Sequence, residues 1–321
     1  MQQAQARSGL GLVSAGAVAF GTSGTFATSL LDAGWTPGAA VTVRVFVAAA
    51  VLALPAALLL RGRRQALRRG SRSLVLYGLV AVAGCQLAYY TSVQTLDVAV
   101  ALLLEYSGVL LVVLWVWWRE GKRPRRLIIA GAVLAVAGLG LVLEIGGDVR
   151  LDPRGVFWAL VAAVGLAVYF VLSARADDGL PALVTAFGGL SVAALVLVAA
   201  AAVGVLPMAA PRVDVTLLDA QVSWLVPVVG LSVVSGAFAF VAGIAGARRL
   251  GARLTSFVGL TEVLFAVVFA WLVLGQALTA AQAVGGVLVL AGIVLVRVDE
   301  LRLPVTPEAV LSEEPRLARA A

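Results

Sequence analysis

The sequence predicts an all-α integral membrane protein, with ten transmembrane helices arranged as two inverted five-helix repeats. Three observations carry that reading: the apolar content, the alternation of arginine-rich and arginine-poor connections, and a pattern that recurs in each half. Of 321 residues, 62% are apolar and 13% are charged. An average soluble domain is about half apolar and about a quarter charged, and a soluble surface could not hide the surplus. A bilayer core of about 30 Å takes roughly 20 apolar residues per spanning helix. Backbone groups inside lipid must bond within their own segment, so the apolar runs are helices despite their valine content.

Ten runs follow in order, at about 9–31, 37–60, 74–95, 98–118, 127–145, 155–174, 182–205, 222–246, 252–275 and 280–297. The first is long, has little positive charge ahead of it and is followed by helix after helix, so no cleaved signal peptide is expected. Helix two carries Arg44 and Pro55; helix eight carries Pro227. Trp115, Trp117 and Trp118 close helix four beside Arg119, as an interfacial aromatic belt would. Thr279-Ala-Ala-Gln282 reads as a capping box opening helix ten. Counting Lys and Arg in alternate connections gives twenty on one side, including the clusters 61–72, 119–126 and 248–253, and three on the other: Arg150, Arg154 and Arg212. The arginine-rich side, with both termini, is expected in the cytoplasm. Abundant Ala, Val, Gly and Arg suggest a bacterial source, hence a bacterial cell membrane. The tail from 298 carries Pro304, Pro307 and Pro315 and is expected to be disordered.

Leu103-Leu104-Glu105 in helix four is matched by Leu260-Thr261-Glu262 in helix nine. Gly131 and Gly138 in helix five are matched by Gly285 and Gly292 in helix ten, both pairs seven apart on one helix face. These matches divide the chain into a first repeat over 1–145, a second over 146–297 and a tail over 298–321. Five spans is an odd number, so the second copy enters the membrane from the opposite side. Inverted halves with a site between them near mid-membrane are a frequent transporter plan. The glycine faces also leave a homodimer open.

Several function classes fall away. The net charge is +7, but the arginines lie in clusters between apolar runs rather than on one face, so nucleic acid is not an expected partner. There is no histidine, which removes zinc motifs of the His-Glu-x-x-His type and serine–histidine pairs. The adjacent Asp177 and Asp178 sit in a short loop without a metal constellation. The single cysteine, Cys85, reads as a small buried hydrophobe. Neither an enzyme nor a bound cofactor is expected. A channel or a non-transporting scaffold remains the alternative to a carrier.

At two stretches the sequence resembles the drug/metabolite transporter superfamily and, within it, the EamA family. One runs from Leu102 through Glu105, Tyr106 and Val109 to Arg119-Glu120, followed by a basic turn with Pro124. The other runs from Ser256 through Glu262 to Leu274 and Thr279, followed by a glycine-rich helix. Arg44 also matches an arginine common in that helix of the family. The resemblance implies ten helices in two inverted repeats and movement of a small organic solute. The family often has proline near positions 109 and 263. Here these are Val109 and Val263, which leaves helix breaks there without their usual cause. The family's glutamate closing helix nine is Gln276 here.

Arg44, Glu105 and Glu262 are ionisable groups well inside predicted helices, where a charge costs about 2.5–3.5 kcal/mol on insertion scales. The functional reading has Glu105 and Glu262 lining a central cavity, with one or both coupling inward proton flow to solute export. Arg44 then holds a substrate carboxylate while a glutamate meets an ammonium group, as suits an amino acid. The structural alternative is a permanent Arg44–Glu105 ion pair. Gln86, Tyr90, Tyr106, Tyr169 and Thr261 complete the candidate pocket.

Overall fold

The computed structural model describes residues 2–61, 63–96, 98–121, 123–144, 152–175, 179–218, 220–274 and 279–301. Ten helical spans follow one another. They are α1 (Gln2–Gly21 and Ser23–Asp32), α2 (Pro37–Leu60), α3 (Arg64–Ser92), α4 (Val98–Tyr106 and Gly108–Glu120) and α5 (Arg126–Val142) in the first half. The second half has α6 (Pro153–Ser173), α7 (Ala182–Ala202), α8 (Leu225–Leu250), α9 (Ala252–Gly259 and Thr261–Leu274) and α10 (Ala280–Leu301). Among the described residues, nine spans are long and apolar enough to cross a membrane, and α5 is a shorter apolar helix. At 17 residues and 1.5 Å each, α5 reaches about 25 Å, the low end of what a span needs.

Local chemistry sets the boundaries. Pro37 opens α2 at a position where its missing N–H costs nothing, and the Thr36 hydroxyl accepts from Ala39 N–H at 3.4 Å. Asp152 caps α6, its carboxylate accepting from Arg154 N–H at 2.7 Å and Gly155 N–H at 3.3 Å. The expected capping box of α10 is formed: Gln282 N–H donates to the Thr279 hydroxyl at 3.2 Å, and Thr279 N–H to the Gln282 side-chain Oε1 at 3.1 Å.

Three elements differ from expectation. Helix α3 begins at Arg64, ten residues early, because its arginine-rich turn is itself helical and packs Leu67 and Leu74 against the start of α7. Helix α10 runs on to Leu301, so 298–301 continue the last helix; the tail from 302, like Gln276, Asp177 and Asp178, lies outside the described residues. Between α7 and α8 a short antiparallel hairpin forms, β1 (Val215–Leu217) with β2 (Ala220–Val222), Val215 facing Val222. It helps cover Trp35 and Leu30 on the face opposite the arginine clusters. There Trp35 Nε1 donates to Pro211 O at 2.9 Å.

The packing repeats under exchange of the halves. Helix α1 packs on α8 and α9, and correspondingly α6 packs on α3 and α4; α2 packs on α7, and α5 on α10. The α5–α10 crossing rests on the predicted glycines: a Cβ on Gly138 would lie 2.6 Å from Gly285 O, and one on Gly292 would lie 2.6 Å from Gly131 O. Those glycine faces are therefore buried against each other within the chain.

Gly131 and Gly285 are related by 154 residues, as are Gly138 and Gly292. The same shift relates two π-helical segments that widen α3 over Tyr77–Gly84 and α8 over Gly230–Phe238. It also relates two hydroxyl-to-backbone bonds, Ser107 to Leu104 O at 2.5 Å and Thr261 to Val258 O at 2.7 Å. These sit where α4 and α9 are interrupted. Helix breaks thus exist without proline, in keeping with the tendency of such back-bonding to bend helices. Under this shift Glu105 faces Gly259 in the other repeat, and Glu262 faces Gly108. The two glutamates are not symmetry mates, as their matching triplets suggested; they are offset by three residues, just under one turn.

Candidate functional site

The ionisable residues converge between the two repeats. Glu262 lies ten residues into α9, roughly 15 Å from its start, and Arg44 and Glu105 lie about 10 Å from the other ends of their helices. All three are deep in the bundle, yet each keeps part of its surface accessible.

Glu262 interacts electrostatically with Arg44 and with the Tyr106 hydroxyl. Tyr106 follows Glu105 on α4, in the last turn before the break at Ser107, so one short segment presents a carboxyl and a phenol to the same region. Glu105 and Glu262 are close enough for their charges to interact. The direct partner of Glu105 is not Arg44. The Cys85 thiol donates to Glu105 Oε1 at 3.2 Å and lies 3.4 Å from Ala162 O.

Arg44 is held differently. Its Nη2 donates to Ser235 O at 2.7 Å, and its guanidinium carbon lies 5.6 Å from the centre of the Phe20 ring. The π-helical turn of α8 makes that carbonyl available. Ala239 N–H bonds to the carbonyls of Gly236 and Val234 and passes over Ser235. Wide turns of this kind often mark functional sites. The Thr22 hydroxyl, at the interruption of α1, lies 2.9 Å from the Ser235 hydroxyl. Among the described residues the guanidinium makes no direct ion pair, so the permanent Arg44–Glu105 bridge does not form.

Aromatic rings close the cluster toward the arginine-rich side. Tyr169 packs on Tyr77 at 5.8 Å and edge-on to Phe240 at 5.8 Å between centroids, and Phe240 meets Phe20 at 5.1 Å. The Ser173 hydroxyl donates to the Tyr77 hydroxyl at 3.3 Å.

Arg44, Glu105, Tyr106, Tyr169 and Glu262 are thus brought together. Gln86 and Tyr90 lie half-buried on α3 and hydrogen-bond to none of these five among the described residues. The Thr261 hydroxyl is occupied by its own helix. Sequence reasoning missed Cys85 as a partner of Glu105, and missed Phe20 and Phe240. No local signal marks them, since each contact joins helices far apart in the chain.

The sequence matches the profile of the EamA-like transporter family twice, over residues 7–144 and 153–298. This chain belongs to the EamA-like transporter family. Its two family matches coincide with the two halves of the fold. Among relatives, the threonine/homoserine exporter RhtA of Salmonella typhimurium (strain SL1344) is 31% identical over 65% of each chain. RhtA of Escherichia coli (strain K12) is 35% identical over 39% of this chain and 40% of its own. The chain therefore spans less than two thirds of the length of these exporters. The uncharacterized inner membrane transporter YicL of Salmonella typhimurium is 22% identical over 73% of this chain and 76% of its own. A protein crystal structure superposes on 92% of this chain and 99% of its own with a TM-score of 0.72. At 21% identity it attests the fold alone.

Proposed function

We propose that this transporter exports a small amino acid from a bacterial cell by alternating access, with both termini in the cytoplasm and proton entry as the driving step. The observation that carries the reading is the meeting of Glu262, Arg44 and Tyr106 between the repeats, with Glu105 beside them. A zwitterion needs a cation for its carboxylate and an anion for its ammonium group. Arg44 has its fork aimed at a single backbone carbonyl and keeps further N–H groups to offer. Glu262, beside the Tyr106 phenol, is the acceptor for an ammonium group. The exporters among the relatives act on threonine and homoserine, amino acids of that form.

The coupling role falls to the carboxyls. Each binds a proton when the site faces outward and releases it when the site faces inward, so solute leaves as protons enter. Glu105, paired with a neutral thiol rather than a cation, is the better placed to change charge without disturbing Arg44. The twenty-to-three distribution of basic residues supports the stated orientation.

Proteoliposomes test the proposal. Labelled threonine or homoserine should undergo counterflow, and an imposed pH gradient should drive its accumulation against a concentration gradient. Glu105→Gln and Glu262→Gln are expected to abolish the gradient-driven component. Wild-type gradient-driven rates in both variants refute proton coupling by these groups. Absence of counterflow with every amino acid tried refutes the substrate class.

A further inference from the structure

A second concentration of positive charge lies apart from the site. At the arginine-rich end, the closing turns of α4 and α6 and the first residue of α9 bound a cavity of about 390 Å³, whose lining includes Trp115, Arg119, Arg175 and Ala252. Two guanidinium groups thus border one concave space. Neither has a hydrogen-bond or ion-pair partner among the described residues. Like charges lining one concave surface repel, and an anion between them relieves the cost.

A further donor set begins at the edge of the same space. The first segment of α9 starts behind Gly251 with no side-chain cap, so the N–H groups of its first turn are left for another acceptor. Ala252, the first residue of that turn, borders the cavity. Helix N-termini favour anions, and arginine forks match phosphate geometry.

The surroundings specify where the anion comes from. Trp118 packs against Trp115 with ring centres 5.3 Å apart and planes tilted by 50°, and is 73% exposed, and Leu114 is 50% exposed. The cavity is therefore bordered by apolar surface at the interfacial belt, where a lipid headgroup sits and its acyl chains have somewhere to lie. We propose that this cavity seats the phosphate of an anionic membrane lipid, held by Arg119, Arg175 and the first turn of α9, with Trp115 and Trp118 against its glycerol and chains. The occupant ties together the ends of α4, α6 and α9, the helices that carry Glu105, Tyr169 and Glu262.

The test is thermal unfolding of the purified full chain in neutral detergent with added phosphatidylglycerol, phosphatidylcholine or inorganic phosphate. The wild-type chain should gain Tm with phosphatidylglycerol only. Arg119→Gln with Arg175→Gln should lose at least two thirds of that gain. The control double variant Arg68→Gln with Arg69→Gln, which removes equal charge from the same side, should keep it. Equal gains with phosphatidylcholine, equal losses in the control, or a full gain from inorganic phosphate alone each overturn the proposal. If the double variant does not fold, the two single variants are read instead, each expected to lose at least a third of the gain; a full gain in both overturns it.

Discussion

Adding one methyl group at two neighbouring glycines of α5 should change stability in opposite directions. At Gly138 an added Cβ would lie 2.6 Å from Gly285 O and 2.8 Å from both Leu288 Cβ and Val289 N. Carbon contacts settle at about 3.5–4.0 Å, so Gly138→Ala must part α5 and α10 by roughly 0.7 Å. A gap of that size forfeits about a quarter to a half of each dispersion well along the crossing. Overpacking of this kind costs about 1–3 kcal/mol. Two residues on, a Cβ at Gly140 would meet nothing within 4 Å, so Gly140→Ala keeps only the helix-propensity gain, up to about 1 kcal/mol. Both variants share that gain, so the difference between them isolates the crossing and should be about 1–3 kcal/mol. Gly285→Ala, directly across the same crossing, should cost as much as Gly138→Ala, since a Cβ there would lie 2.7 Å from Val142 N and 2.8 Å from Leu141 Cβ. The double variant should cost less than the sum, because one separation accommodates both methyl groups. Equilibrium unfolding in mixed micelles measures all four. Equal stabilities for Gly138→Ala and Gly140→Ala, within about 0.5 kcal/mol, would show that the helices do not cross at these glycines.

Two further outcomes are expected. Arg44→Lys keeps the positive charge but loses the fork that reaches Ser235 O at 2.7 Å beside the Phe20 ring. It should cut transport at least tenfold while the protein remains monodisperse, and near-normal transport would reduce Arg44 to a simple charge. Thr279→Ala removes the capping hydroxyl of α10 and its hydrogen bond to the Glu144 carboxylate. It should destabilise the fold by about 1 kcal/mol, whereas Thr279→Ser should stay near wild type in the same unfolding assay.

Much of the architecture was legible because it follows from what lipid tolerates locally. Spans could be counted because each had to be apolar for its whole length, and the capping box could be read because its partners are three residues apart. The glycine pairs announced a close crossing. The hairpin after α7 was not legible, since Val215–Leu217 and Ala220–Val222 are too short for an alternating pattern to stand out. The early start of α3 was hidden because an arginine-rich turn looks like a loop to any reading based on hydropathy.

For the site, the sequence by itself determined which residues carry a cost in a membrane: Arg44, Glu105 and Glu262 stand out because an ionisable group inside an apolar helix demands a reason. It did not determine their partners. The triplets ending in glutamate suggested equivalent carboxyls, but the 154-residue shift read from the glycines, the π-helical segments and the hydroxyl bonds sets them three residues apart. The choice of Cys85 for Glu105, and of Ser235 O for Arg44, was made by the tertiary structure alone. Helix packing decides which carbonyl a π-turn frees and which thiol faces which carboxyl, and such contacts join residues whose separation along the chain leaves no local pattern.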